Sequence, residues 1–258
     1  VQILVTNDDG LNSAGLWALV GELKKVAAVT VVVPDREQSA IGTAVSLFRP
    51  LEVREVAPEV EGVAAYTADG TPADCVVLAL GKLMTGAVDL VVSGINLGPN
   101  LGEDVYISGT VGGALQGYFR GSSAMAVSAP RGSDEALPTA ARAAAILAGR
   151  IASAPPTSRV FLNVNVPDGP PAGVSGARIT RLARTSHINT VAEGDRPRRY
   201  NLVRQRVDGA GEKGTDMHAV QSGIISITPL FTSLFERPSG RFLKGLTDGF
   251  TEELKEYR

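Results

Sequence analysis

Asp8 and Asp9 stand side by side where the apolar run Ile3-Leu4-Val5 gives way to Thr6-Asn7, and Gly10 follows them. A strand that delivers two carboxylates at its carboxyl end puts charge where open α/β sheets bind ligands, not where they pack a core. Neighbouring carboxylates repel and raise each other's pKa unless a cation or hydrogen-bond donors lie between them. A bound divalent metal is the simplest resolution. Asp-Asp-Gly is also good turn chemistry, because Asp accepts backbone N–H bonds and Gly takes positive φ, so this stretch alone leaves a turn-only reading open.

Three further segments follow strands on the same predicted edge. Residues 34–42, Pro34-Asp35-Arg36-Glu37-Gln38-Ser39-Ala40-Ile41-Gly42, form a polar loop that presents a hydroxyl and several charges. Residues 93–104 hold Asn96, Asn100, Glu103 and Asp104 in a stretch too rich in Gly and Asn to be read as a helix. Ser108-Gly109-Thr110-Val111-Gly112-Gly113 then opens one. Free N–H groups and the helix dipole make such a start a natural phosphate site, although Ser-Gly-Thr is equally good capping chemistry. Together these features suggest a hard metal beside an oxyanion. Carboxylate, amide and hydroxyl oxygens suit Mg²⁺, Mn²⁺ or Ca²⁺; zinc is disfavoured, as His187 and His218 fall outside any H-E-x-x-H pattern and read as ordinary surface or contact residues.

The elements that must position these residues are short β-branched runs alternating with helical patterns. That alternation predicts an α/β fold with a mostly parallel sheet and helices on both faces. Strands are expected at 2–6, 29–33, 88–93, 124–128 and 160–166, with helices at 13–26, 71–84, 109–120 and 133–152. Ser13 is a candidate N-cap, and Thr71-Pro72 opens the second helix. Residues 51–56 and 63–67 read as an extra β pair inserted after the second strand. Beyond Pro167 the pattern changes to Pro/Gly turns, short strands at 178–182 and 200–206, a helix at 216–221 capped by Thr215, and a strand at 224–228. The chain therefore reads as one domain, 1–258, with a core over 1–166 and a C-terminal hairpin-like excursion and oligomerisation elements over 167–258.

The 258 residues are 44% hydrophobic and 20% charged with a net charge of -2, an ordinary globular composition that argues neither for nor against a nucleic-acid partner. Arg178, Arg181, Arg184, Arg196, Arg198, Arg199, Arg204 and Arg206 crowd the excursion. They suit solvated or subunit-contact surface or the steering of an anionic substrate; without interleaved aromatics they make a poor single-strand platform, so no dedicated nucleic-acid partner is expected. The single Cys75 lies in an apolar run and reads as core, which excludes an internal disulfide framework. No basic leader opens the chain and no apolar stretch approaches ~20 residues, so no membrane partner and a cytoplasmic location are expected. G-x-x-x-x-G-K-[ST], G-x-S-x-G and a G-x-G-x-x-G after the first strand are all missing, which sets aside P-loop, α/β-hydrolase and dinucleotide-binding enzymes.

Val5-Thr6-Asn7-Asp8-Asp9-Gly10, Pro34 to Ser39, Ser93-Gly94-Ile95-Asn96 through Asn100-Leu101-Gly102, Ser108-Gly109-Thr110-Val111, and Thr215-Asp216 through Thr228-Pro229-Leu230, in that order, resemble the SurE family of stationary-phase survival phosphatases. The resemblance spans most of the chain and is weak only over 167–214. It implies a Rossmann-like three-layer core and a dimer or tetramer with exchanged C-terminal elements. It also implies a metal-dependent phosphatase acting on nucleoside monophosphates, a 5'-nucleotidase with 3'-nucleotides and polyphosphate as further candidate substrates. One divalent ion per subunit, Mg²⁺ or Mn²⁺, would be held by Asp8, Asp9, Ser39 and Asn96. Ser108, Gly109 and Thr110 would lie at the phosphate with Asn100 nearby. Two departures bear on pocket shape: Ile107 stands where the family usually has Tyr before Ser-Gly-Thr, with Tyr106 one place earlier, and Gln116 stands where many members have Glu.

Phosphomonoester hydrolysis is very slow without a catalyst, so such a site must stabilise charge on the transferring phosphoryl group. Either a metal-activated water or Asp8 itself could attack phosphorus. Water is favoured, since Asp-Asp lacks the intervening residue of the Asp-x-Asp aspartyl phosphatases. A non-catalytic nucleotide- or nucleic-acid-binding protein with the same pocket is the alternative, and it would be marked by a failed set of oxygen ligands.

Overall fold

The computed structural model describes residues 1–155, 157–184, 187–206, 211–233 and Lys255. The first half of the chain runs β1 (Gln2–Thr6), α1 (Ala14–Leu23), β2 (Ala28–Pro34), β3 (Val53–Val56), β4 (Ala64–Ala68), α2 (Pro72–Leu78) and β5 (Leu90–Leu97). There follow α3 (Gly109–Phe119), β6 (Ser123–Ala129), α4 (Ala136–Ala152), β7 (Phe161–Asn165) and β8 (Ala177–Ile179). The chain then makes β9 (His187–Glu193), β10 (Tyr200–Arg206), α5 (Asp216–Gln221) and β11 (Ile225–Pro229).

Among the described residues nine strands join in the order β3-β4-β2-β1-β5-β6-β7-β11-β8, and β9 with β10 makes a separate two-stranded sheet. The strands from β4 to β7 are parallel, β3 runs against β4, and β11 runs against β7. Parallel strands covered on both faces need apolar side chains on both, and Ile3, Leu4, Val5, Val91 and Val92 are fully buried. Helix α1 packs beside α4 on one side, and α2 beside α3 on the other. The larger core lies under α1 and α4 around Leu16, Leu19, Val20, Met125 and Val164. Cys75 belongs to the opposite core, as its apolar context predicts, and burial pushes its thiol far above the usual range.

This topology decides where a ligand sits. From β1 the chain winds outward through β2 in one direction and through β5, β6 and β7 in the other, so the winding reverses between β1 and β5. Open α/β sheets bind ligands in the crevice that this reversal leaves at the carboxyl ends of the strands. Thr6 pairs in register with Ser93, which brings Asp8 and Asp9 beside the end of β5.

Most elements fall where the periodicity places them, but the second helix is α only to Leu78 and runs on as a π turn over Ala79–Leu83, and β9 lies outside every expected strand. Strand β5 continues to Leu97, so Asn96 lies on a strand end and not in the expected loop. Opposite it, the pairing skips from Gly94–Val127 to Asn96–Ser128, and bulges of this kind re-aim side chains at sheet rims. The Gly- and Asn-rich stretch does contain a helical turn, a 3-10 turn at Gly102–Tyr106. Ser13 occupies the N-cap of α1 but makes no side-chain cap bond, while Thr71 and Asp74 form a reciprocal capping box on α2. The main sheet does not end at residue 166, since β11 pairs with β7 and β8 with β11. What stands off from it is the β9–β10 hairpin; part of the span expected to serve assembly lies outside the described residues. Among the described residues no helix is long and apolar enough to cross a membrane.

Candidate active site

Gly10 holds φ +85°, and its amide and carbonyl are both bound by the buried side chain of Asn7 at 3.1 and 2.9 Å. This clamp turns the chain sharply after β1 and fixes where Asp8 and Asp9 project. Helix α3 reaches the same point because it carries glycine where it meets the sheet: a Cβ at Gly109 would lie 3.0 Å from the Asp8 carboxylate, and one at Gly113 would lie 2.9 Å from Thr6. A bulkier residue at either position would push the helix start away from the carboxylates.

Asp8 is 5% exposed, and both of its oxygens are held by Thr110. Oδ1 accepts from the hydroxyl at 2.7 Å, and Oδ2 accepts from the amide at 3.1 Å. Burial dominates all the same, and with the repulsion of Asp9 it raises the Asp8 carboxyl to about 6 against the bonds from Thr110. Asp9 is raised too, by burial first and then by Glu37, with the Leu97 backbone bond and Arg131 acting the other way. The Oδ2 of Asp9 is buried without a hydrogen-bond partner among the described residues.

These residues surround a cleft of about 330 Å³ lined by Asp8, Ser39, Asn96, Asn100, Ser108 and Arg131, among others. Asp9 lies outside the lining itself. Ser39 is exposed on the loop after β2, with its hydroxyl donating to Glu37 at 2.6 Å. That loop is tied down by Gln38 N–H to the Asp8 carbonyl and Gly42 N–H to the Ile107 carbonyl, at 2.8 and 2.9 Å. The Nδ2 of Asn96 donates to the Gly98 carbonyl at 2.5 Å, which leaves an oxygen as what its amide has to offer a cation. Among the described residues no three His, Cys, Asp or Glu side chains converge, so a metal here must complete its shell with neutral oxygens. Two carboxylates, one with an orphaned buried oxygen, beside a hydroxyl and an amide, fit a hard divalent ion.

At the start of α3, Ser108 is the N-cap, its Oγ accepting from Val111 N–H at 3.1 Å. Thr110 is committed to Asp8, so among the described residues the first turn offers an anion the Gly109 amide and the Ser108 hydroxyl hydrogen. Asn100 is fixed from behind by residues absent from the motif set. Its N–H donates to Asn165 Oδ1 and its Nδ2 to Ser128 Oγ, at 2.8 and 2.9 Å, while Asn163 and Asn165 donate to its carbonyl. The sequence shows only half of this: Asn at alternate positions of the buried strand Phe161–Asn165 puts two amides on one face, but not what that face meets.

Two more side chains enter the cleft from the hairpin, His187 and Arg204, and both meet Asp104. Of the two readings open to His187, surface or contact residue, the structure favours contact, with a buried carboxylate 83 positions away as its partner. Of the other arginines in the excursion, Arg181 pairs with Glu212 at 2.6 Å and Arg199 with Asp195 at 3.1 Å, both at the surface. Ile107 lines the cleft, whereas Tyr106 is 67% exposed and faces a separate apolar groove.

A family model described as "Survival protein SurE" matches residues 3–189. The chain is 50% identical over 242 residues to a protein of Dehalococcoides mccartyi named 5'-nucleotidase SurE, covering 92% of this chain and 91% of the relative. Its identity is 43% to the protein of that name from Moorella thermoacetica, over 90% of each chain, and 40% to that from Vibrio parahaemolyticus, over 93% and 92%. The crystal structure of the SurE protein from Aquifex aeolicus superposes with a TM-score of 0.79 at 32% identity, over 98% of this chain and 100% of that one. Ordered motifs, the fold and these likenesses agree: the chain belongs to the SurE family.

Proposed function

We propose that this protein is a divalent-metal-dependent phosphatase that hydrolyses nucleoside monophosphates to nucleoside and phosphate, as a 5'-nucleotidase with one Mg²⁺ or Mn²⁺ per subunit. The observation that carries the reading is the pairing of buried Asp8 with half-buried Asp9, whose Oδ2 is buried without a hydrogen-bond partner among the described residues, at the sheet's crevice beside the start of α3. Relatives at 40–50% identity named 5'-nucleotidase SurE support the substrate class.

Asp8, Asp9, Ser39 and Asn96 would hold the ion, which when bound supplies Lewis-acid stabilisation of charge on the phosphoryl oxygens. The chain's own residues do the rest. Ser108 and the Gly109 amide are placed to donate to phosphate oxygens, Asn100 is braced to orient the substrate, and Arg131 adds positive charge at the rim. Both Asp8 oxygens already accept bonds from Thr110, which supports water over Asp8 as the attacking group. A non-catalytic binding protein is disfavoured because every oxygen ligand of the proposed set is present.

The proposed assembly is a homodimer or homotetramer. A lone hairpin is marginally stable, yet β9–β10 stands apart from the main sheet with Leu202 and Val191 facing each other across it, 85% and 64% exposed. Packing against a second subunit would cover them. A phosphate-release panel of nucleoside 5'- and 3'-monophosphates and polyphosphate against Mg²⁺, Mn²⁺ and no metal tests the proposal. Release from 5'-monophosphates only with a divalent ion is expected, and release that is indifferent to EDTA would contradict it.

A further inference from the structure

Asp104 sits in the 3-10 turn before α3, its side chain 6% exposed, and it holds two residues of the hairpin at once. Its Oδ2 lies 2.9 Å from His187 Nδ1, and its Oδ1 takes the guanidinium of Arg204. Nδ1 also lies 3.4 Å from the Arg204 guanidinium, which can only donate, but the carboxylate, which can only accept, is nearer; the shorter contact assigns the hydrogen to Nδ1, and the Nε2 edge lies on the opposite side of the ring. His187 opens β9, Arg204 lies in the paired strand β10, and both line the cleft that holds Asp8, Ser39, Asn96, Asn100 and Ser108. The His187 side chain is 22% exposed, although most hairpin residues whose burial is described are exposed. A carboxylate that fixes an imidazole through Nδ1 at the wall of a reaction cleft is the arrangement by which enzymes orient a histidine for proton transfer.

We propose that His187 delivers the proton to the leaving sugar oxygen, that Asp104 is its positioning residue, and that Arg204 holds Asp104 in place. The inference rests on the phosphomonoesterase reading above. As the water oxygen bonds to phosphorus, the bond from phosphorus to the sugar oxygen breaks and its electron pair stays on that oxygen. The proton on the protonated ring's Nε2 moves onto the same oxygen and the nucleoside leaves as an alcohol. The proton shed by the attacking water returns the ring to its starting state through solvent, so only water is consumed. Among the described residues, Asp8, Arg131, Asp104 and Arg204 are the charged groups that line the cleft beside His187.

A sugar alkoxide is a strong base that needs this proton, and 4-nitrophenolate is a weak one that does not. His187→Asn puts an amide N–H near the place of Nδ1, so Asp104 keeps a donor while proton transfer is lost. Its kcat on a nucleoside 5'-monophosphate is expected to fall about 100-fold or more, with kcat on 4-nitrophenyl phosphate changing by less than about threefold. Mn²⁺ affinity by calorimetry should not move. Asp104→Asn should show the same selective loss, and its ¹⁵N spectrum should lose the wild-type signature of an Nδ1–H bound to a carboxylate. Equal losses on both substrates, or no loss on the nucleotide, would overturn the proposal. Should His187→Asn fail to fold, the wild type decides: across phosphate monoesters of rising leaving-group basicity, nearly level rates support proton delivery and steeply falling rates refute it. A wild type inert toward both substrates with every divalent ion would overturn the phosphatase reading and this inference with it.

Discussion

Thr110 gives both its amide and its hydroxyl to the carboxylate of Asp8, at 3.1 and 2.7 Å. The start of α3 is thereby coupled to the proposed metal site before any phosphate arrives. Thr110→Val keeps the shape and removes one donor from a buried charge, a loss of order 1–3 kcal/mol. Mn²⁺ affinity measured by calorimetry should weaken by about tenfold or more. Unchanged metal affinity with weaker inhibition by inorganic phosphate would instead put Thr110 at the phosphate.

The raised Asp8 carboxyl has a pH signature. Its folded value of about 6 exceeds the ordinary 3.8, so between those values the folded state binds more protons than the unfolded one. Stability of the metal-free protein should therefore fall as pH rises from about 4 to about 6 and level off above, a loss of at most about 3 kcal/mol from this group. Asp8→Asn should flatten that slope and raise the metal-free Tm at pH 7 by several degrees. A metal-free wild type that gains stability through the same window would contradict the burial argument.

The fold was legible because β-branched runs and helical spacing alternate cleanly, and Asp8, Asp9, Ser39 and Asn96, the residues proposed for the metal, could be named because the short motifs that carry them resemble those of the SurE family. The second layer was not. Asn163 and Asn165 meet Asn100 across more than 60 positions, and Asp104 meets His187 and Arg204 across 83 and 100. No local spacing records such meetings; they follow from which strands lie side by side. A helix start shows its donors in sequence and not what they meet, so the bonds from Thr110 to Asp8 appear only in the structure.

Asn165 both accepts from and donates to the Asn100 backbone. Asn165→Ala leaves the Asn100 N–H buried without a partner and its carbonyl with Asn163 alone, and should cost about 2 kcal/mol of stability, with a raised KM for the nucleotide and little change in metal affinity. A lower Tm with unaltered KM would make Asn100 a fold residue alone.

Leu202 is 85% exposed on the hairpin that carries Arg204. If that face packs against a second subunit, Leu202→Asp should shift the sedimentation profile toward monomer at micromolar concentration. A wild type that is itself monomeric would remove the assembly proposal and leave the hairpin as a flap over the cleft.

The most direct test of the metal-site account is a paired measurement on Asp9→Asn: thermal shift on adding Mn²⁺, and phosphate release from a nucleoside 5'-monophosphate. Wild type should be stabilised by Mn²⁺ and active only with it. Asp9→Asn should fold, lose the Mn²⁺-induced shift, and fall at least about 1,000-fold in turnover, as expected when the ion that neutralises phosphoryl charge is no longer held. A variant that keeps wild-type turnover, or a wild type that turns over fully in EDTA, would contradict the assignment of Asp8 and Asp9 as metal ligands.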